Sequence, residues 1–190
     1  MSAESGFSSS DRKVRLETLQ KVSEDRKLSK STKLDLIKRG LDDEHDSIRS
    51  KAVELLAKGP YTEAPDMLVG KLVSDKYWAV RIQILRKFDE NATKWNIIKY
   101  REPIISMTKD LKPYVRVYAA KVITKPPFSN EWNIVLDMYY DKDPEVRKEI
   151  HALLEKSPDP GVKSKIDEIN RKIREKEEKK KQLQGMFEGI

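Results

Sequence analysis

Cysteine is absent from all 190 residues, which removes disulfide scaffolds, thiolate metal sites and thiol catalysis at the outset. Histidine is nearly as scarce. His45 and His151 lie far apart in the chain, and neither has a second histidine four residues away to form a ligand pair, so no metal site is expected. The seven glycines are scattered singly, without the glycine-rich loops that cradle phosphates, and no cofactor is expected. Nothing in the spacing fixes a Ser-His-Asp geometry, so the chain reads as non-enzymatic. No apolar run approaches the ~20 residues that cross a bilayer, and the Ser-rich start lacks an apolar signal core. A cytoplasmic protein with no membrane contact and no small-molecule substrate is the expectation. Glutamine is rare, and Lys and Glu are abundant, the compositional lean of a thermophile protein.

What the chain does have is charge and rhythm. Lys and Arg number 39 against 32 Asp and Glu, a formal charge of +7, while 37% hydrophobic residues leave enough apolar surface to build a core. Breakers at Lys58-Gly59-Pro60, Asp89-Glu90-Asn91, Lys125-Pro126-Pro127 and Ser157-Pro158-Asp159-Pro160 cut the middle of the chain into blocks of similar length. An aliphatic-Arg step recurs in every block: Val14-Arg15, Ile48-Arg49, Val80-Arg81, Val115-Arg116 and Val146-Arg147, with the arginines 34, 32, 35 and 31 residues apart. Six residues before four of them stand Asp43, Asp75, Asp110 and Asp141; Ser9 takes that place before Arg15. From each aliphatic residue but Val14, where Thr18 intervenes before Val22, apolar positions continue at i+4 and i+8, the stripe of a helix with one buried face. Lys33 to Leu41, Ala64 to Val73, Ile97 to Met107 and Glu131 to Tyr140 each predict a first helix before that second one. No segment alternates as a strand does.

A helical hairpin of this length cannot bury its own apolar faces and must stack on its neighbours. Leu136 to Leu154, around Asp141-Lys-Asp-Pro-Glu-Val-Arg147, resembles a HEAT repeat, as does Leu41 to Leu56. The third and fourth copies carry Lys76-Tyr77-Trp78-Ala79 and Leu111-Lys112-Pro113-Tyr114 where that family has an Asp-Pro turn. The resemblance implies an all-α fold, a short right-handed α-solenoid of about four to five HEAT-like hairpins. The expected divisions are a disordered N-terminus over 1–10, a repeat domain over 11–160, a charged C-terminal helix over 161–181 and a linear motif over 182–190. In such a fold Arg15, Arg49, Arg81, Arg116 and Arg147, with Asp43, Asp75, Asp110 and Asp141, form a structural ladder of ion pairs and helix caps rather than a reaction centre.

The excess positive charge is local. Residues 76–126 hold twelve basic and four acidic residues, whereas 127–162 hold four basic and eight acidic. Aromatics are interleaved with those bases. Lys76, Trp78, Arg86, Lys87, Lys94, Trp95, Lys99, Arg101 and Lys112 are therefore candidates for nucleic-acid contact, cations to phosphates and rings to bases. Trp78 and Trp95 have equal claim to a place in the core. The likeness to HEAT-like solenoids also implies a more distant reading, since alkylpurine DNA glycosylases use a basic solenoid surface of this type, although their catalytic residues find no counterpart here.

Past Pro160-Gly161 an isoleucine stripe gives way to acid-before-base pairs at i, i+4, the favourable order on a helix. Leu183, Met186, Phe187 and Ile190 then fall at i, i+3, i+4 and i+7, the anchor spacing of a helix docking into an apolar groove, with Gly185 and Gly189 favouring disorder in the free peptide. That ending resembles the C-terminal sliding-clamp-binding peptides of replication and repair proteins, though Gly185 stands where those have an aliphatic residue. Together these features predict an adaptor that holds a protein partner through the solenoid surface and this peptide, with a nucleic-acid-binding accessory factor as the second reading.

Overall fold

Each aliphatic-Arg step sits in a helix, and those of Arg15 and Arg147 are capped by the side chains of Asp11 and Asp143. The structure, a computed structural model, describes residues 3–128 and 131–187, and of 176, 177 and 180–187 the backbone only. Among these the fold is all-α, with eleven α-helices, three short 3₁₀ turns and no strand. The chain divides into two compact units, Met1–Phe128 and Ser129–Ile190, the division falling just past Pro126-Pro127.

In the first unit, α1 (Ala3–Phe7) leads into α2 (Arg12–Glu24), which Asp11 caps by accepting from the Lys13 amide at 2.7 Å. Then follow α3 (Lys30–Leu41), capped by Ser29, α4 (Asp46–Lys58) and α5 (Ala64–Ser74), the last with Pro65 in its first turn, where a missing N–H costs nothing. After α6 (Trp78–Glu90) comes a segmented stretch. A 3₁₀ turn over Ile97–Tyr100 precedes α7 (Arg101–Ser106), another over Met107–Lys109 follows it, and α8 (Pro113–Ile123) closes the unit. The continuous first helix predicted over Ile97 to Met107 is thus broken in two places. Pro103 supplies the reason for the first, because it has no N–H to donate four residues back to Lys99.

The second helices carry the core. α2 packs on α4, α4 on α6 and α6 on α8, while α3 and α5 flank α4 and α6, and α7 packs on α5 and α8. Leu19, Ile48, Ala52, Leu56, Ile84, Phe88, Ala119 and Ile123 have no exposed surface. Each such large side chain contributes roughly 1.5–3 kcal/mol by leaving water. Phe88 meets the edge of Trp95, with centroids 5.5 Å apart, and tilts against Tyr100 at 5.4 Å. Gly40 allows α3 to approach closely: a Cβ there would lie 2.9 Å from Leu19 Cδ2 and 3.0 Å from Ala52 Cβ.

The expected disorder over 1–10 is corrected by α1. Phe7, the one aromatic side chain in that Ser-rich stretch, is buried, with the Arg39 guanidinium 5.1 Å from its ring centre. In the second unit α9 (Trp132–Asp137), a 3₁₀ turn over Met138–Tyr140 and α10 (Pro144–Leu154) are followed by the long α11 (Pro160–Phe187). α11 packs on α9 and α10 by its first turns, where Val162 and Ile166 are buried, and Ile173 is already exposed. Its helical backbone runs through Gly185 to Phe187, beyond the end predicted at 181, since extending an existing helix costs far less than starting one.

Candidate interaction surface

The recurring arginines are spent on the fold's own turns. Arg49 on α4 reaches forward to Asp75, which lies in the turn between α5 and α6: Nε donates to Oδ2 at 2.7 Å and Nη2 to Oδ1 at 2.9 Å. Its Nη1 donates to the carbonyls of Asp43 and Glu44, both at 3.0 Å. Arg15 makes the same fork to Asp43, at 2.8 and 3.1 Å, and Arg81 to Asp110, at 2.8 Å twice. Arg116 donates to the carbonyls of Asp110 and Leu111, and Arg147 to those of Asp141 and Lys142.

Each carboxylate has a second duty. Asp43, Asp75, Asp110 and Asp141 accept from the backbone amide two residues on, at 2.8–2.9 Å, which fixes the turn into the next helix. Burial alone would raise the Asp43 carboxyl, but the bonds from Arg15 and the His45 amide hold it below the ordinary carboxylate value. Bonding to Asp75 raises Arg49 further.

The two histidines lie far apart, and of these only His45 adjoins a fork, through its amide to Asp43. His45 precedes α4, 3.5 Å from Glu44, and His151 lies on α10, 3.3 Å from Asn170. Among the described residues no group of three or more His, Asp or Glu is placed to hold a metal ion.

The nine candidates for nucleic-acid contact do not form one surface. Trp95 is corrected from contact to core: it is buried against Phe88. Lys99 Nζ is 2.8 Å from Asp66, which also accepts from the Tyr100 hydroxyl at 2.8 Å. These two bonds, Lys99 first, hold the Asp66 carboxyl below its ordinary value. Lys87 is 2.6 Å from Glu90. Arg101 is exposed at the start of α7, and Lys94 is exposed on the connection from α6. Outside the original nine, Lys125 of the same basic block is 2.5 Å from Asp89.

The remaining candidates gather on α6 and α8. Trp78, half-buried at the start of α6, lies between two tyrosines, 6.0 Å from Tyr77 and 5.6 Å from Tyr114 by ring centres. One turn further along α8, Tyr118 takes the Arg86 guanidinium over its ring at 5.2 Å. Trp78, Ile82 and Arg86 are spaced i, i+4 and i+8 on α6, with Tyr114 and Tyr118 opposite on α8. The turns that lead in are wet: Tyr77 is 40% exposed at the first, and Leu111 86% and Tyr114 66% at the second. Lys76 and Lys112 are exposed in these same turns. The same α6 stripe also lines a groove of about 530 Å³ against α4, with Ser50 and Glu54 beside Trp78, Ile82 and Arg86. Gln83 crosses it to the Ser50 carbonyl at 2.9 Å.

Sequence reasoning picked out Trp78, Arg86, Lys76 and Lys112 but left Tyr77, Tyr114 and Leu111 out of the candidate set. Their signal was available, since Tyr77 stands at the place of Asp143 in the last copy, and Leu111 and Tyr114 at those of Lys142 and Glu145. Of the C-terminal anchors, the side chains of Leu183, Met186 and Phe187 and the whole of Ile190 lie outside the described residues. No protein-family model matches the chain, and no curated protein matches it.

Proposed function

We propose that this chain is a non-enzymatic adaptor, a short HEAT-like α-solenoid that holds a protein partner on its surface. The observation that carries the reading is the fate of the recurrent charges. Arg15, Arg49 and Arg81 are closed in forks with Asp43, Asp75 and Asp110, so residues that might have signalled chemistry join one hairpin to the next. What such a body offers a partner is its outer faces, and the α6–α8 face exposes rings that its own core does not use. The α-helical extension from α11 supports a second, tethered contact through Leu183, Met186, Phe187 and Ile190, which would add avidity through effective concentration.

Affinity capture from a native lysate, with nuclease present, tests this reading. A defined set of proteins should stay with the intact chain at physiological salt, and a chain ending at Lys181 should lose part of it. Retention of no protein would refute the adaptor.

A nucleic-acid-binding accessory role is the second reading, favoured by the exposed Lys76, Lys94 and Lys112. It is weakened by Lys87, Lys99 and Lys125, whose charges are matched by Glu90, Asp66 and Asp89. Binding to random DNA across a salt series separates the two. Phosphate contact gives a steep negative slope of log affinity on log salt.

A further inference from the structure

We infer that the α6–α8 face is a docking site for an acidic segment of a partner protein that carries an aromatic or branched aliphatic anchor. The inference rests on the adaptor reading and names the partner's chemistry. Tyr77, Trp78 and Tyr114 form one continuous ring cluster, and Leu111 extends the apolar surface along the same turn as Tyr114. An exposed cluster of this kind on a small body is a surface that a partner covers, and aromatic residues of this type supply large contact area at small entropic cost.

The charge around the cluster is of one sign. Lys76 and Lys112 flank the rings at the two turns and Arg86 lies two turns along α6; among the described residues none of the three has a carboxylate at ion-pair distance. The carboxylates that share those turns are out of reach, because Asp75 and Asp110 are enclosed by Arg49 and Arg81, with side chains only 2% and 8% exposed. In the neighbouring groove Glu54 is held by Lys51 and Lys58, and Glu90 by Lys87. An arriving carboxylate therefore meets unmatched cations, and an arriving cation meets no free carboxylate.

The ring spacing argues for a peptide over a nucleic acid. Single-stranded bases stack face to face on open aromatic rings. Trp78 lies 6.0 and 5.6 Å from its two neighbours, and the rings are tilted by 42° and 31°. The cluster is closed on itself and offers an apolar floor, not a slot.

The test uses the full chain and fluorescence anisotropy with labelled short peptides. One is rich in Asp and Glu with Phe and Leu anchors, a second has Ser in place of the anchors, and a third has Lys in place of the acids. The first should bind at least about tenfold more tightly than either of the others. Lys76→Glu with Lys112→Glu, and separately Trp78→Ala with Tyr114→Ala, should each remove about tenfold of that affinity. Lys94→Glu should leave it unchanged. Circular dichroism establishes that each variant is folded; the two charge reversals lie on exposed turns and keep the test available if the ring variant unfolds. Equal affinity for all three peptides, competition by oligodeoxythymidine for the same face, or self-association lost with Trp78 and Tyr114 would overturn the inference. If no peptide binds while lysate capture still retains proteins, the docking chemistry is wrong and the adaptor stands. If both fail, both fall.

Discussion

Removing the Asp75 carboxylate tests the role of the recurrent charges most severely. Its side chain is 2% exposed and that of Arg49 6%, so Asp75→Ala strands a buried guanidinium with Nε and one Nη2 donor unanswered, and also releases the Tyr77 amide. Breaking a buried pair from one side costs about 3–5 kcal/mol. Asp75→Asn should cost less, because one amide oxygen can still accept from Arg49 or from the Tyr77 amide. Arg49→Ala leaves a carboxylate with the Tyr77 amide alone and should cost about as much as Asp75→Ala. The double variant should cost much less than the two single changes added together, since each single change includes the penalty of the orphaned partner. Urea denaturation followed by circular dichroism measures all four. The exposed pair Lys99–Asp66, at 2.8 Å, provides the contrast: Lys99→Ala should cost under about 1 kcal/mol. A loss below about 1 kcal/mol for Asp75→Ala, or additivity in the cycle, would refute the claim that these forks hold the turns.

Gly40→Ala should destabilise despite alanine's better helix propensity, worth about 1 kcal/mol, because the new methyl meets Ala52 Cβ at 3.0 Å and that atom cannot rotate away; a raised thermal midpoint would contradict the close approach of α3. Trp95→Ala should cost about 3–5 kcal/mol in a urea titration, whereas Trp78→Ala, at a half-exposed position, should cost under half as much; the reverse order would misplace the two rings. Stability should fall in acid. Asp43 binds its proton less readily in the folded chain than in the unfolded one, so its contribution is present above an ordinary carboxyl value of about 3.9 and is lost as pH falls through it toward the lower folded value. Asp43→Asn should flatten that acid limb, and an unchanged profile would count against the fork with Arg15.

How far the fold could be read from residues differs between the two helices of each hairpin. The second helices were legible because the aliphatic-Arg step starts a regular stripe, and α2, α4, α6, α8 and α10 all contain one. The first helices were blurred where proline or aromatic residues interrupt the stripe, as in the segmented run from Ile97 to Lys109. The start was misread for a local reason: its small and polar neighbours masked Phe7, whose burial decides the matter. At the surface, spacing picked out Trp78 and Trp95 as equals. Only packing separates them, since Trp95 turns its edge to Phe88 and Trp78 stacks among tyrosines at the rim. Nor did spacing say which aspartate each arginine takes. The residue six upstream gives its carbonyl to Nη1, and for Arg15, Arg49 and Arg81 the carboxylate comes from the turn that follows. This also accounts for Ser9, whose carbonyl accepts from Arg15 at 2.9 Å although its side chain is no acid; no earlier arginine asks it for one.

That double use of the aspartate turn governs where the chain can grow. A guanidinium that must touch the carbonyl six positions back tolerates neither insertion nor deletion between the two, so the interval to Arg is the same from Ser9 as from the four aspartates. The distances from one arginine to the next nevertheless drift between 31 and 35. Added length has to be absorbed after the second helix, in connections such as 91–96, and it is there that a grafted loop or a reporter peptide could be accommodated without loosening the joints.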